Sequence, residues 1–339
     1  MSHFVLLGGC LELMPGFDES SVDAVVTDPP YGIDFQGREW DRQVPGPEYW
    51  AECLRVAKPG AWLAAMGGPR TYHRLACALE DAGWEIRDCL CWLYGSGMPK
   101  GPSTERAGMN GRGTCLKPAW EPIVLARKPY TGAILRNLDT YGTGALNIDD
   151  CRIPADAADF EKLQKGVDAI RARGGVMENS WANDSDLTGA NPASPLGRWP
   201  ANVILDEEAA AQLDAQSGDR PGMSASRFFY CPKASKSEKE AGLESLEFGT
   251  TDDGRKTAAS TPHQRGKTLR KNTHPTVKPI ALMQWIVELI CPPGGVVLDP
   301  FCGSGSTGCA ALCAGRDFIG IDLDPKSVEI AEMRIDKWS

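Results

Sequence analysis

The stretch Val296-Val297-Leu298-Asp299-Pro300-Phe301-Cys302-Gly303-Ser304-Gly305 constrains this chain more than any other. Its apolar start reads as a buried strand that ends on a carboxylate. Gly303 and Gly305 let the backbone turn sharply and approach a ligand closely. A helix of small and apolar residues follows over 309–314. The next apolar run, Phe318-Ile319-Gly320-Ile321-Asp322, is a second strand that also ends on an acid. A glycine turn after one strand and an acid after the next is the nucleotide-binding logic of a doubly wound sheet, in which the acid takes ribose hydroxyls. The third glycine of the dinucleotide fingerprint is missing at its usual place, and so is the P-loop lysine. The favoured ligand is therefore a nucleoside without phosphates.

A second device lies near the other end. Ala24-Val25-Val26-Thr27 is a short apolar strand that delivers Asp28 to its carboxyl end, followed by Pro29, Pro30 and Tyr31. Two successive prolines fix φ and remove two backbone donors. The carbonyls of this stretch are left free to accept hydrogen bonds, with Tyr31 held rigidly beside them. A carboxylate, free carbonyls and an aromatic ring suit a flat ring carrying an amino group, such as adenine or cytosine.

Together the two devices resemble the amino-methyltransferases of DNA. In that family Asp-Pro-Pro-Tyr binds the target base and Phe-x-Gly-x-Gly binds S-adenosylmethionine. The order here, base motif first and cofactor motif last, resembles the β group, a circular permutation of the usual methyltransferase fold. His274-Pro275-Thr276-Val277-Lys278-Pro279, followed by an apolar helix over 280–290, is a third match. The resemblance covers residues 1–127 and 271–339. It implies an α/β, Rossmann-like sheet, mostly parallel, with an antiparallel closing hairpin made by strands at 84–94 and 120–127. Residues 1–127 would be the base-binding, catalytic half. Residues 128–270 would be an inserted target-recognition region, and 271–339 the cofactor half.

The resemblance assigns Asp28, Pro29, Pro30 and Tyr31 to the catalytic site. It places Asp299 near the methionine end of S-adenosylmethionine and Phe301 against the cofactor. Gly303 and Gly305 would allow close approach, Asp322 would hold the ribose, and Thr276 and Lys278 would line the site. Asp324, before Pro325, reads better as a helix cap than as the ribose acid. The family often has Gly-Asp-Cys after the first strand, whereas this chain has Gly8-Gly9-Cys10. The acid's contact is then missing or supplied by another residue. The implied reaction is methyl transfer to N6 of adenine in double-stranded DNA, after the base is flipped from the stack. Cytosine N4 is the alternative target. A DNA-binding protein without chemistry is the alternative from another class. By analogy with relatives that pair, the chain would form a homodimer.

Bulk properties agree with one large α/β core plus an extra module: 339 residues, 42% hydrophobic. No apolar run approaches the ~20 residues of a membrane span, and the start of the chain does not read as a secretory signal, so a cytoplasmic protein is expected. Twelve scattered cysteines form no C-x-x-C pair and only four histidines are present, which argues against a metal site and for reduced thiols. The net charge of −9 does not exclude DNA, because phosphate contacts need only a local basic face. Between residues 254 and 278 lie Arg255, Lys256, Arg265, Lys267, Arg270, Lys271 and Lys278 without an acid. This run is either a DNA-binding stretch or a solvated linker.

Elsewhere the periodicity predicts a helix over 47–58, a strand over 61–66 and a helix over 71–82. A basic loop over 95–114 carries Lys100, Arg106 and Arg112, with Lys117 just beyond. Periodicity fades after residue 128, apart from two islands, Arg198-Trp199 through Leu205 and Arg227 through Tyr230. Val203, Ile204 and Leu205 read as core. Arg198, Trp199 and Arg227 remain open between packing and DNA contact.

Overall fold

The computed structural model describes residues 1–97, 108, 111–155, 157–172, 194–217, 224–232, 238, 240–251 and 268–338. Along the chain run β1 (His3–Leu7), α1 (Cys10–Leu13), β2 (Val22–Thr27), α2 (Pro47–Val56), β3 (Ala57–Met66), α3 (Tyr72–Asp81), β4 (Glu85–Leu93) and β5 (Trp120–Arg127). The middle of the chain adds α4 (Ile134–Tyr141), α5 (Ala157–Ala172), β6 (Val203–Leu205), α6 (Glu207–Ser217), β7 (Gly249–Thr251) and β8 (Thr268–Arg270). The last part holds α7 (Ile280–Ile290), β9 (Val296–Asp299), α8 (Ser306–Cys313), β10 (Asp317–Asp322) and α9 (Pro325–Asp336).

Eight strands form one sheet in the order β1-β10-β9-β2-β3-β5-β4-β6, and β7 and β8 form a separate two-stranded sheet. Every pairing in the large sheet is parallel except those of β5 with β3 and β4. The late strands β9 and β10 are thus slotted between the two earliest, β1 and β2. The register Ala24↔Val297 and Val25↔Leu298 sets the two chain halves side by side. This is the permuted, mostly parallel sheet with a closing β4–β5 hairpin that the sequence predicts.

The strands read as continuous apolar runs because both faces are covered. Their side chains alternate between two cores. Ala24, Val26, Trp62, Ala64, Met66 and Val297 face α7 and α8, while Val25, Ala61, Leu63, Ala65 and Leu298 face α2 and α3. Helix α7 is apolar nearly all round, and eight of its residues are buried, as expected of a helix enclosed by its neighbours.

Two local expectations change. Helix α2 stops at Val56 and β3 begins at Ala57, so Lys58, Pro59 and Gly60 fall within the strand's span as an irregularity in its ladder. The pairing with β2 skips them, running from Ala57–Val22 to Trp62–Ala24; Gly60 takes a φ of +80°, and the Lys58 Nζ lies 2.6 Å from Asp23 Oδ1. The region after residue 128 also contains regular structure. Val203, Ile204 and Leu205 form β6, which extends the sheet beside β4, with Ile204 and Leu205 buried as predicted. Nearby, Tyr230 stacks on Trp285 of α7 at 5.1 Å, which ties this part of the chain to α7.

Candidate functional site

The parallel strands bring their carboxyl ends to one edge, where ligands bind in open α/β sheets. Because β2 and β9 are neighbours, the two sequence devices meet there. Thr27 Oγ1 donates to Asp299 Oδ1 at 2.6 Å, and Asp28 is the next residue. A cleft of ≈ 1440 Å³ opens at this edge. Asp28, Pro30, Asp299, Phe301, Gly303 and Asp322 line it, as do Thr276 and Lys278. The sequence therefore names residues from three separate segments that the fold gathers around one space.

Tyr31 is held from both ends. Its hydroxyl lies 2.9 Å from Asp28 Oδ1 and 3.1 Å from Glu121 Oε2, and its single proton goes to one carboxylate at a time. Burial, followed by the Asp28 and Glu121 charges, pushes this phenol well above its ordinary pKa, so it stays neutral. Its backbone N–H donates to Asp41 Oδ1 at 2.6 Å. The same carboxylate accepts from the N–H groups of Gly32, Ile33 and Phe35 at 3.0, 3.3 and 2.8 Å. Asp41 is buried and acts as a hub that sets the loop after the two prolines. Sequence reading places residues 34–46 in a polar loop and misses this role, because an aspartate in such a loop has no distinguishing signal.

Lys278 reaches into the same cluster from the segment before α7. Its Nζ lies 2.5 Å from Asp28 Oδ2, 3.2 Å from the Tyr31 hydroxyl and 3.8 Å from Glu121 Oε2. Burial alone would lower its pKa, but the facing Asp28 and Glu121 charges outweigh it and raise the pKa. Lys278 is therefore a charged partner of the base motif. Glu121, unnoticed in the sequence, comes from β5. As β5 runs against its neighbours, its first residues, not its last, meet the carboxyl edge of the sheet.

On the β9 side, Asp299 is buried and also accepts from the Phe301 N–H at 3.1 Å. Burial raises its pKa to about 6, against the lowering effect of Thr27, Thr307 and the Phe301 amide. Gly303 and Gly305 have φ of +53° and +76°, in the left-handed region that favours glycine. A Cβ at Gly303 would stand 3.0 Å from the His274 ring, and one at Gly305 would stand 3.0 Å from Ala331 Cα on α9. The turn is thus packed on both sides. Buried Arg334 holds it from below, donating to the Ser304 carbonyl and to Ser304 Oγ at 3.0 Å. His274, whose Nδ1 accepts from the Thr276 N–H at 3.4 Å, has its pKa lowered by burial to about 4 and is neutral.

Asp322 ends β10 in the cleft, with Oδ2 accepting from the Gly303 N–H at 2.7 Å. Asp324 caps α9, accepting from Lys326 and Ser327 N–H, as its place before Pro325 predicts. Phe301 packs between Tyr49 and Trp50, at 5.8 and 6.0 Å between ring centroids, and shows an edge to the cleft. At the Gly9 departure, the Glu12 carboxylate fills the neighbouring space: its Cδ lies 3.4 Å from where a Gly9 Cβ would stand. Glu12 also lines the cleft.

The residues expected to touch DNA fare unevenly. Arg198 and Arg227 turn inward: Arg198 forms an ion pair with Asp159, and Arg227 Nε lies 3.6 Å from the same carboxylate. Both guanidinium groups also lie over Phe228, at 5.1 and 4.3 Å. They knit the insertion together and do not form an outward basic face. Trp199 stays exposed, with Arg152 over its ring at 5.5 Å. Arg270 lines the mouth of the cleft. Lys271 Nζ donates to the Glu244 carbonyl at 2.6 Å and lies 5.5 Å from the Phe248 ring. Arg265 and Lys267 lie outside the described residues, as do Arg255, Lys256, Lys100 and Arg106. Among the described residues, no helix is long and apolar enough to cross a membrane, and no three His, Cys, Asp or Glu side chains are grouped to hold a metal.

Residues 22–333 match the profile of the N6/N4 methyltransferase family, described as DNA methylase. A stretch of 63 residues is 44% identical to the DNA adenine methyltransferase YhdJ of Escherichia coli (strain K12), covering 19% of this chain and 21% of that protein. A stretch of 65 residues is 42% identical to the type II methyltransferase M.HinfI of Haemophilus influenzae, covering 19% of this chain and 18% of the relative. The matched stretches thus span about a fifth of these relatives' length. The PvuII DNA methyltransferase, described as cytosine-N4-specific, shares the fold with a TM-score of 0.52 and 15% identity, over 98% of this chain and 86% of that one.

Proposed function

Given that the chain belongs to the N6/N4 DNA methylase family, we propose that it transfers a methyl group from S-adenosylmethionine to the N6 amine of adenine in double-stranded DNA. The observation that carries this reading is the meeting of Asp28 and Asp299 at the carboxyl ends of neighbouring strands in one cleft, with the Tyr31 hydroxyl bonded to Asp28. The cleft chemistry suits that cofactor. Asp299 fits the cationic methionine end, Asp322 the ribose hydroxyls, and the Gly303–Gly305 turn a close backbone approach. Glu12, filling the space beside Gly9, takes the part of the acid that in the family lies near the cofactor's adenine. When bound, the cofactor supplies an already activated methyl group on sulfur.

The chain's own residues must then make the amine nucleophilic. Its lone pair is delocalised into the ring. Asp28 accepts one N–H and the Pro29 carbonyl the other, and these bonds favour a pyramidal nitrogen with a localised lone pair. Tyr31 receives the flipped base against its ring, which recovers part of a flipping cost on the order of a few kcal/mol. Alignment and preorganised acceptors can each contribute several kcal/mol, on the order of the effects known for such devices. The surplus proton of the methylated nitrogen passes to Asp28, the group already hydrogen-bonded to it.

Adenine is preferred because the motif is Asp-Pro-Pro-Tyr and because the Escherichia coli relative is an adenine methyltransferase. The test is mass spectrometry of nucleosides from DNA incubated with the protein and methyl-labelled S-adenosylmethionine. Labelled N6-methyladenine is expected. Labelled N4-methylcytosine would keep the mechanism and change the base. Cofactor binding without label on any DNA would overturn the reading.

A further inference from the structure

We propose that Lys278 holds the seat of the target amine between turnovers and that Glu121 receives it when a base arrives, which makes Glu121 a positioning residue of the reaction. The proposal rests on Asp28 being the acceptor of the target amine. To a carboxylate, an ammonium and an exocyclic amine present the same thing, a nitrogen with N–H donors. The Lys278 Nζ sits 2.5 Å from Asp28 Oδ2 and 5.3 Å from the centroid of the Tyr31 ring. Those are the acceptor and the stacking surface that the base itself requires, so the base and the ammonium compete for them.

Lys278 is too deeply set to retreat into solvent; its side chain is only 11% exposed. A buried ammonium that loses its partner is strongly penalised. Glu121 Oε2 lies 3.8 Å from Nζ, on the far side of the Tyr31 hydroxyl, and is within ion-pair reach. The hydroxyl lies between the two carboxylates, 2.9 Å from one and 3.1 Å from the other, and can donate to either. When the amine takes Asp28, the ammonium moves the short distance to Glu121, and the hydroxyl proton turns toward the carboxylate left with a free lone pair. No charge is stranded at any stage. One cation serves two carboxylates in turn.

The experiment measures methyl incorporation into plasmid DNA against DNA concentration, with cofactor affinity measured separately by calorimetry as a control for folding. Glu121→Gln should lower kcat/KM for DNA by about ten-fold or more, equivalent to about 1.4 kcal/mol, with cofactor affinity unchanged, because the ammonium then has nowhere to go. Lys278→Met should lower the KM for DNA, since the competitor is gone. The distinguishing result is the double variant Glu121→Gln/Lys278→Met, which should recover most of the activity lost by Glu121→Gln. A purely structural pair would show no rescue. A silent Glu121→Gln, a double variant no better than Glu121→Gln, or a raised KM in Lys278→Met each overturns the exchange. Asp28→Ala separates the two levels. If it abolishes labelling while Glu121→Gln is silent, only the exchange fails; if it labels DNA normally, the base site itself is misread.

Discussion

Binding of the cofactor should release a proton, and the source should be Asp299. Burial raises this carboxyl from its usual 3.8 to about 6 in the folded chain. The folded state therefore holds an extra proton between those values, and ionising Asp299 above them opposes folding. At about 1.4 kcal/mol per pH unit the cost is roughly 3 kcal/mol, absent below 3.8 and complete above 6. A cation at the methionine end of the cleft reverses the balance, because it favours the carboxylate. At pH 6 about half the chains carry the proton, so binding should release about half a proton per chain. Near pH 8 it should release almost none, and affinity should weaken steadily as the pH falls below 6. Titration calorimetry in two buffers of different ionisation enthalpy reads the released protons directly. Asp299→Asn keeps the Oδ1 acceptor used by Thr27 and Phe301 and removes the charge. It should abolish the proton release, weaken cofactor binding at pH 8 and raise the melting temperature of the free protein at that pH. An unchanged proton count in the variant, or a free protein that melts lower, would refute the assignment.

Tyr31→Ala should cut turnover severely while leaving cofactor affinity near normal; a collapse of cofactor binding instead would show that the cleft is not divided in this way. Asp41→Ala strands four loop N–H groups and should cost about 1–3 kcal/mol or more in chemical denaturation, with kcat falling further than the stability loss explains. Stability and turnover close to the parent would remove Asp41 as the organiser of the loop. Glu12→Gln should weaken cofactor affinity several-fold, in line with about 0.5–1.5 kcal/mol for one hydrogen bond; equal affinity by calorimetry would leave the Gly9 departure uncompensated. Neutralising Lys267, Arg270 and Lys271 together should weaken DNA binding and flatten its dependence on salt. An unchanged slope in a titration at several salt concentrations would return that run to solvated linker.

Much of the site was legible in the sequence because its signals are local. A proline pair restricts φ wherever it stands, and Gly303 and Gly305 permit a tight turn that other residues resist. Apolar runs ending in Asp28, Asp299 and Asp322 declare buried strands with acids at their tips. The capping role of Asp324 was readable for the same reason, since the proline after it marks a helix start. Arg198 and Arg227 were not readable: an arginine beside aromatic residues looks the same whether it faces a phosphate or an internal carboxylate. Asp159, distant in sequence, made the choice.

The motifs and their order, through their resemblance to the DNA amino-methyltransferases, determined the expectation of a permuted, mostly parallel sheet with acids at its strand tips. Only the tertiary structure decided that β9 lies against β2, so that Thr27 bonds Asp299 and the two corners share one cleft. Only it set β5 antiparallel, which brings Glu121 to the carboxyl edge, and sent Lys278 across 250 residues of sequence to Asp28. Side-chain type and local φ are written residue by residue. Which charge meets which depends on strand adjacency, and adjacency is settled by burying two apolar faces at once, a property of the whole sheet that no single segment contains.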